Sequence, residues 1–108
     1  METAHQFVFT TCPDATVAET LAQSLVEEGL AACANILPGL RSIYRWKGKT
    51  ERADEVLVLI KTTASRYHDL EQRIIALHPY ELPEIVTVPI TNGLAPYLAW
   101  LENPERKS

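Results

Sequence analysis

The chain has 108 residues, 46% of them hydrophobic and 22% charged, with a net charge of −4. That is enough for one domain, residues 1–108, around a single core; the acidic balance excludes nucleic acid as the main partner, because phosphate neutralisation needs clustered Lys and Arg. No apolar run approaches the ~20 residues of a membrane helix, and two cysteines, Cys12 and Cys33, are too few for a disulfide framework.

Residues 6–11 are rich in aromatic and β-branched types and predict a strand. Cys12-Pro13-Asp14 breaks it. A helix follows, capped by Asp14 or by Thr16 with Glu19 in capping-box spacing. Its apolar stripe is Ala18, Leu21, Ala22, Leu25 and Val26, and Gly29 stops it. Leu30 to Ile36 predicts a second strand, interrupted by Pro38-Gly39 as a bend or bulge and resumed from Leu40 to Trp46. Lys47-Gly48-Lys49 is the expected hairpin tip. Residues 50–54 are polar, and Glu55 to Thr63 is the return strand. These arms are long against a usual strand of ~5–6 residues.

Ser65 is the expected cap of a second helix, with Tyr67, Leu70, Ile74 and Leu77 as its stripe and Pro79 as its end. Ile85 to Ile90 predicts a strand whose Pro89 suits an edge or a bulge. Asn92-Gly93 is expected to turn the chain into a short last helix over residues 94–102, with 103–108 a frayed polar tail. The order β-α-β-β-α-β predicts an α+β, ferredoxin-like sandwich: two helices on one face of an antiparallel sheet. Val56-Leu57-Val58-Leu59-Ile60 is nevertheless apolar at every position, whereas a strand covered on one face alternates. Both faces of this strand need cover, and a neighbouring copy of the chain is the simplest cover.

The densest chemistry is in His78-Pro79-Tyr80-Glu81-Leu82-Pro83-Glu84, held stiff by two prolines. His, Tyr and Glu there suit a divalent cation or a small polar ligand, or else tie the loop down. His78 and Glu81, with the thiol of Cys12, are the candidate metal ligands; imidazole and carboxylate suit zinc or copper, and a thiolate favours copper. The structural alternatives are a helix-capping His78 and a Cys33 that merely fills the core. Cys12 near a helix start is a candidate nucleophile only with a base in reach. There is no phosphate-binding loop, since the four glycines stand singly at turns. Near the hairpin tip, Tyr44, Trp46 and Lys49, with Lys61 on the return strand and Tyr80 and Glu84 from the heptapeptide, suit either intersubunit packing or a cleft for a small anion.

These motifs together resemble the CutA family of divalent-cation tolerance proteins. The resemblance runs from about Phe7 to Glu102 and rests on Thr11-Cys12-Pro13-Asp14, Leu30-Ala31-Ala32-Cys33-Ala34-Asn35-Ile36, Pro38-Gly39 and Trp46-Lys47-Gly48-Lys49. It rests further on Ile60-Lys61-Thr62-Thr63, the heptapeptide and Tyr97-Leu98-Ala99-Trp100-Leu101. It implies a ferredoxin-like subunit with an extended hairpin, assembled as a homotrimer and similar in architecture to nitrogen-regulatory signalling trimers. It also implies a link to copper and other divalent cations, with no obligatory cofactor. The copper ligands proposed for some members are a Cys in the first strand, where this chain has Thr10 with Cys12 two residues on, and one or two His before Pro-Tyr. Here His78 precedes Pro79, and Leu77 holds the other place. The expectation is a non-catalytic, cytoplasmic homotrimer that binds divalent metal weakly; the alternative is a trimer holding a small anionic metabolite in its intersubunit clefts.

Overall fold

The structure, a computed structural model, describes residues 4–104. Strand β1 (His5–Cys12) leads into helix α1 (Ala15–Glu27), then strands β2 (Cys33–Trp46) and β3 (Lys49–Thr63). A single 3-10 turn precedes helix α2 (Tyr67–Leu77), followed by strand β4 (Val86–Pro89) and helix α3 (Ala95–Glu102). The sheet order is β2-β3-β1-β4, with every hydrogen-bonded pair antiparallel. Since β1 and β2 both run against β3, which lies between them, they are parallel to each other and split by it. This is the ferredoxin-like arrangement that the element order predicts.

The core lies between the sheet and helices α1 and α2. Val8, Val58, Ile60, Leu25, Leu70 and Ile74 are fully buried there. Asp14 caps α1, its Oδ1 accepting from the Val17 N–H at 2.9 Å. The C-terminal end of α1 is tied to the middle of α2 by Arg73, whose guanidinium makes a forked pair with Glu28 at 2.9–3.2 Å. Ser65 does not cap α2: it lies within the 3-10 turn that precedes the helix, and its hydroxyl meets Thr63 Oγ1 at 3.2 Å.

Strand β3 is longer than its apolar run, because the polar residues 50–54 are paired with the outer half of β2. The tip is a two-residue turn at Lys47 (φ 49°) and Gly48 (φ 81°). Positive φ at both central positions matches the twist of the flanking strands. Pro38-Gly39 forms the expected bulge, with Gly39 at φ 85°. Leu37 stands opposite Leu57, but Leu40 stands opposite Glu55, so β2 carries one extra residue here. Asn92-Gly93 makes no tight turn; residues 91–94 run irregularly into α3. The tail beyond residue 104 lies outside the described residues.

On β3 the even residues Val56, Val58 and Ile60 face the helices, and Leu57 and Leu59 face the other way. Across the sheet, register places Phe7, Phe9, Leu37, Val86 and Val88 on that second face with them. Helix α3 covers only one corner of it, where Lys61 Nζ stands 5.7 Å from the Tyr97 ring centre. Leu37 (45%), Val86 (49%) and Val88 (42%) stay exposed in the single chain. The second apolar face is therefore real, and the chain's own cover for it is partial.

Candidate functional site

Helix α2 ends at His78 because the residue before a proline is driven out of the helical region; His78 takes φ −79°, ψ 136°. Its N–H still closes the last helical bond to the Ile74 carbonyl at 2.8 Å. The extended backbone turns the imidazole back toward the end of β1. There Nε2 donates to the Thr11 carbonyl at 2.8 Å, and Nδ1 accepts from the Tyr80 N–H at 3.1 Å. These two partners select the neutral Nε2–H tautomer. The ring is buried, packs 4.7 Å from the Tyr80 ring, and lies 3.9 Å from the Cys12 sulfur.

The structure thus brings Cys12 and His78 together, 66 residues apart in the chain. Neither is primed to ligate. Cys12 is fully buried. Burial, with the nearby charges of Glu55 and Asp14, pushes its thiol up to about 11 from the ordinary 9.0. A coordinating thiol must first lose that proton. Glu81, the third candidate ligand, is exposed on the loop and does not complete a shell. Among the described residues, no three His, Cys, Asp or Glu side chains are grouped as a metal site. The pair fits a two-donor, low-affinity site and not a closed tetrahedral one. The same facts disfavour Cys12 as a nucleophile, which needs a thiolate in partly exposed, electropositive surroundings. Thr10 shares the helix-facing side of β1 with Cys12; its buried Oγ1 has no hydrogen-bond partner among the described residues.

Beside this pair, a groove of about 690 Å³ opens between the 79–84 loop and the outer half of the hairpin. The loop contributes Pro79, Tyr80, Glu81, Leu82 and Glu84; the hairpin contributes Ser42, Ile43, Tyr44 and Trp46. Thr11 and Glu55 form the rest of its wall. The β2 bulge makes this possible. Past it, Leu40, Ser42, Tyr44 and Trp46 stand opposite Glu55, Ala53, Glu51 and Lys49, and so share their face. Without the extra residue, Arg41, Ile43 and Arg45 would take that face. Of the expected cleft residues, Tyr44, Trp46, Tyr80 and Glu84 line the groove, and Glu81 joins them. Lys49 and Lys61 do not: Lys49 pairs with Trp46 at the tip, and Lys61 is under α3.

Glu55 is the residue that sequence reasoning missed. It is a carboxylate only 8% exposed, and its Oε2 accepts from the Tyr80 hydroxyl at 2.7 Å. Burial and this bond to a carboxylate hold the Tyr80 phenol well above its ordinary range. The one available signal was a charge directly abutting a fully apolar run.

The model of the CutA1 divalent ion tolerance protein matches residues 6–104. This chain belongs to the CutA1 family. It is 52% identical over 96 residues to the divalent-cation tolerance protein CutA of Thermus thermophilus, covering 89% of this chain and 93% of that protein. It is 45% identical over 93 residues to human protein CutA, covering 86% of this chain but 52% of that longer protein. The solved CutA1 of T. thermophilus superposes with a TM-score of 0.89 at 51% identity, covering 91% of this chain and 95% of the other. CutA1 of Oryza sativa gives 0.92 at 40% identity, covering 98% and 97%. The family's description is that of tolerance of divalent ions.

Proposed function

We propose that this chain is a non-catalytic homotrimer serving divalent-cation tolerance, which binds copper or a similar ion weakly through Cys12 and His78. The observation that carries the metal assignment is the 3.9 Å approach of Cys12 to His78 in a chain of a divalent-ion tolerance family. A soft sulfur beside an imidazole favours copper over the hard cations. The raised thiol and the committed ring account for weakness: binding must displace a proton from Cys12 and move the His78 proton from Nε2 to Nδ1, with loss of the ring's bonds to the Thr11 carbonyl and the Tyr80 N–H. The trimer is supported by the apolar second sheet face, of which α3 covers one corner. Cytoplasmic residence is supported by two cysteines that remain free thiols.

Titration calorimetry with Cu(II), and with Cu(I) under reducing conditions, tests the assignment. Because a proton leaves Cys12, affinity should rise with pH, by up to about tenfold per unit below about pH 11. Cys12→Ser and His78→Ala should each weaken binding by roughly tenfold or more, equivalent to about 1.4 kcal/mol. Unchanged affinity in both variants would place the ion elsewhere.

A further inference from the structure

We propose that the groove between the 79–84 loop and the hairpin binds a small organic ammonium ion, an amine carrying an apolar body. This goes beyond the metal assignment and stands whether or not copper binds at Cys12. Three observations define the ligand. The first is charge. Glu55, Glu81 and Glu84 line the groove, and no Lys, Arg or His does among the described residues. An anion would meet three carboxylates there, with no cationic side chain among the described lining residues.

The second observation is Glu55 itself. The residue as a whole is 8% exposed and stands at the groove wall. Tyr80 satisfies Oε2, and Oε1 accepts no hydrogen bond from the described residues. That oxygen is left open on the groove side, and a cationic N–H supplies the strongest class of partner for a carboxylate oxygen. The third observation is the remaining wall. Tyr44 and Tyr80 present aromatic rings, and Ile43 and Leu82 present aliphatic surface. Rings of this kind attract cations with a diffuse charge. The Trp46 ring beside them already draws a cation of its own chain, Lys47 Nζ, to 5.8 Å.

A bare divalent ion does not meet these terms. It needs several oxygens converging at coordination distance, and the carboxylates here do not group in that way. They are spread around a space of about 690 Å³, within the range of small-molecule sites. An alkyl or arylalkyl ammonium fills such a space with its carbon body and directs its N–H groups to Glu55.

The test uses the full-length chain in its native assembly. 2-Phenylethylammonium is the probe, and 3-phenylpropionate, of similar size and opposite charge, is the control. NMR shifts of the Trp46 indole N–H and calorimetry give the readouts. The proposal expects saturable binding of the ammonium with a shift at Trp46, and at least tenfold weaker binding of the carboxylate. Glu55→Gln keeps an acceptor for Tyr80 and removes the charge; it should weaken the ammonium by about tenfold. Glu84→Gln, at an exposed position, leaves folding unaffected and should weaken it to a smaller extent. No saturable binding, as when a neighbouring copy fills the groove, overturns the proposal. So does equal binding of both probes, or an affinity untouched by both variants.

Discussion

Cys12 shows how burial decides the chemistry of a side chain. Its thiol is pushed from 9.0 to about 11, first by burial and then by Glu55 and Asp14. Between these values the folded chain keeps a proton that the unfolded chain has lost. Stability from this group is therefore complete below pH 9 and falls as pH rises through about 11. The slope approaches at most about 1.4 kcal/mol per pH unit. Tyr67, pushed up to about 12 by burial and its bond to Glu71, and Tyr80, raised further by burial and its bond to Glu55, add similar losses as pH rises past 10. Urea unfolding at pH 8, 9 and 10 isolates Cys12; the midpoint should fall over that range, and Cys12→Ala should flatten the fall. At the same scale, His78 was legible as a focal residue because Pro79 had to end the helix there. Its partners were not legible. Thr11 lies 67 positions away, and only the folded register brings its carbonyl to the imidazole.

Among the elements, the β2 bulge has the largest consequence for the groove. Pro38-Gly39 marked it in the sequence, but one extra residue inverts which alternate residues share a face. Tyr44 and Trp46 were legible as sharing a side; which side it was depended on the bulge. The extra residue puts them on the face of Glu55; Lys49 shares that face by register but stands at the tip and does not line the groove. Gly39 sits at φ 85°, with nothing within 4 Å of an added Cβ, so a substitution there meets backbone strain and not a clash. Gly39→Ala should cost about 1–2 kcal/mol, read as a lower denaturation midpoint. Gly39→Val should cost more, because a β-branched residue tolerates positive φ least. Equal stability of all three chains would contradict this account of the bulge. The helices were legible from period and stops, whereas the Ser65 cap was not, because its hydroxyl found Thr63 and the chain inserted a 3-10 turn.

For the whole molecule, the informative signal was the unbroken apolar run of β3. Alternation of its neighbours sends Val56, Val58 and Ile60 to the helices, and Leu57 and Leu59 to the opposite face. The sequence offered no separate cover for that face, yet α3 closes one corner through Tyr97 and the fully buried Leu101. Arg66 fastens that helix by donating to the Leu101 and Glu102 carbonyls at 3.1 and 2.8 Å. What remains bare is a strip of Leu37, Val86 and Val88 around the half-buried Leu57 and Leu59. Exposed apolar area of this kind marks an interface, and an interface built on it resembles a divided core. Folding and assembly should then be coupled through protein concentration. Sedimentation equilibrium at micromolar concentration, on the native chain and on Leu57→Asp, tests this most directly. The account predicts a native mass of three times 12.1 kDa and, with a charge buried on the shared face, dissociation or unfolding of the variant. A native chain that sediments as a stable monomer, or a variant that assembles unchanged, would contradict it.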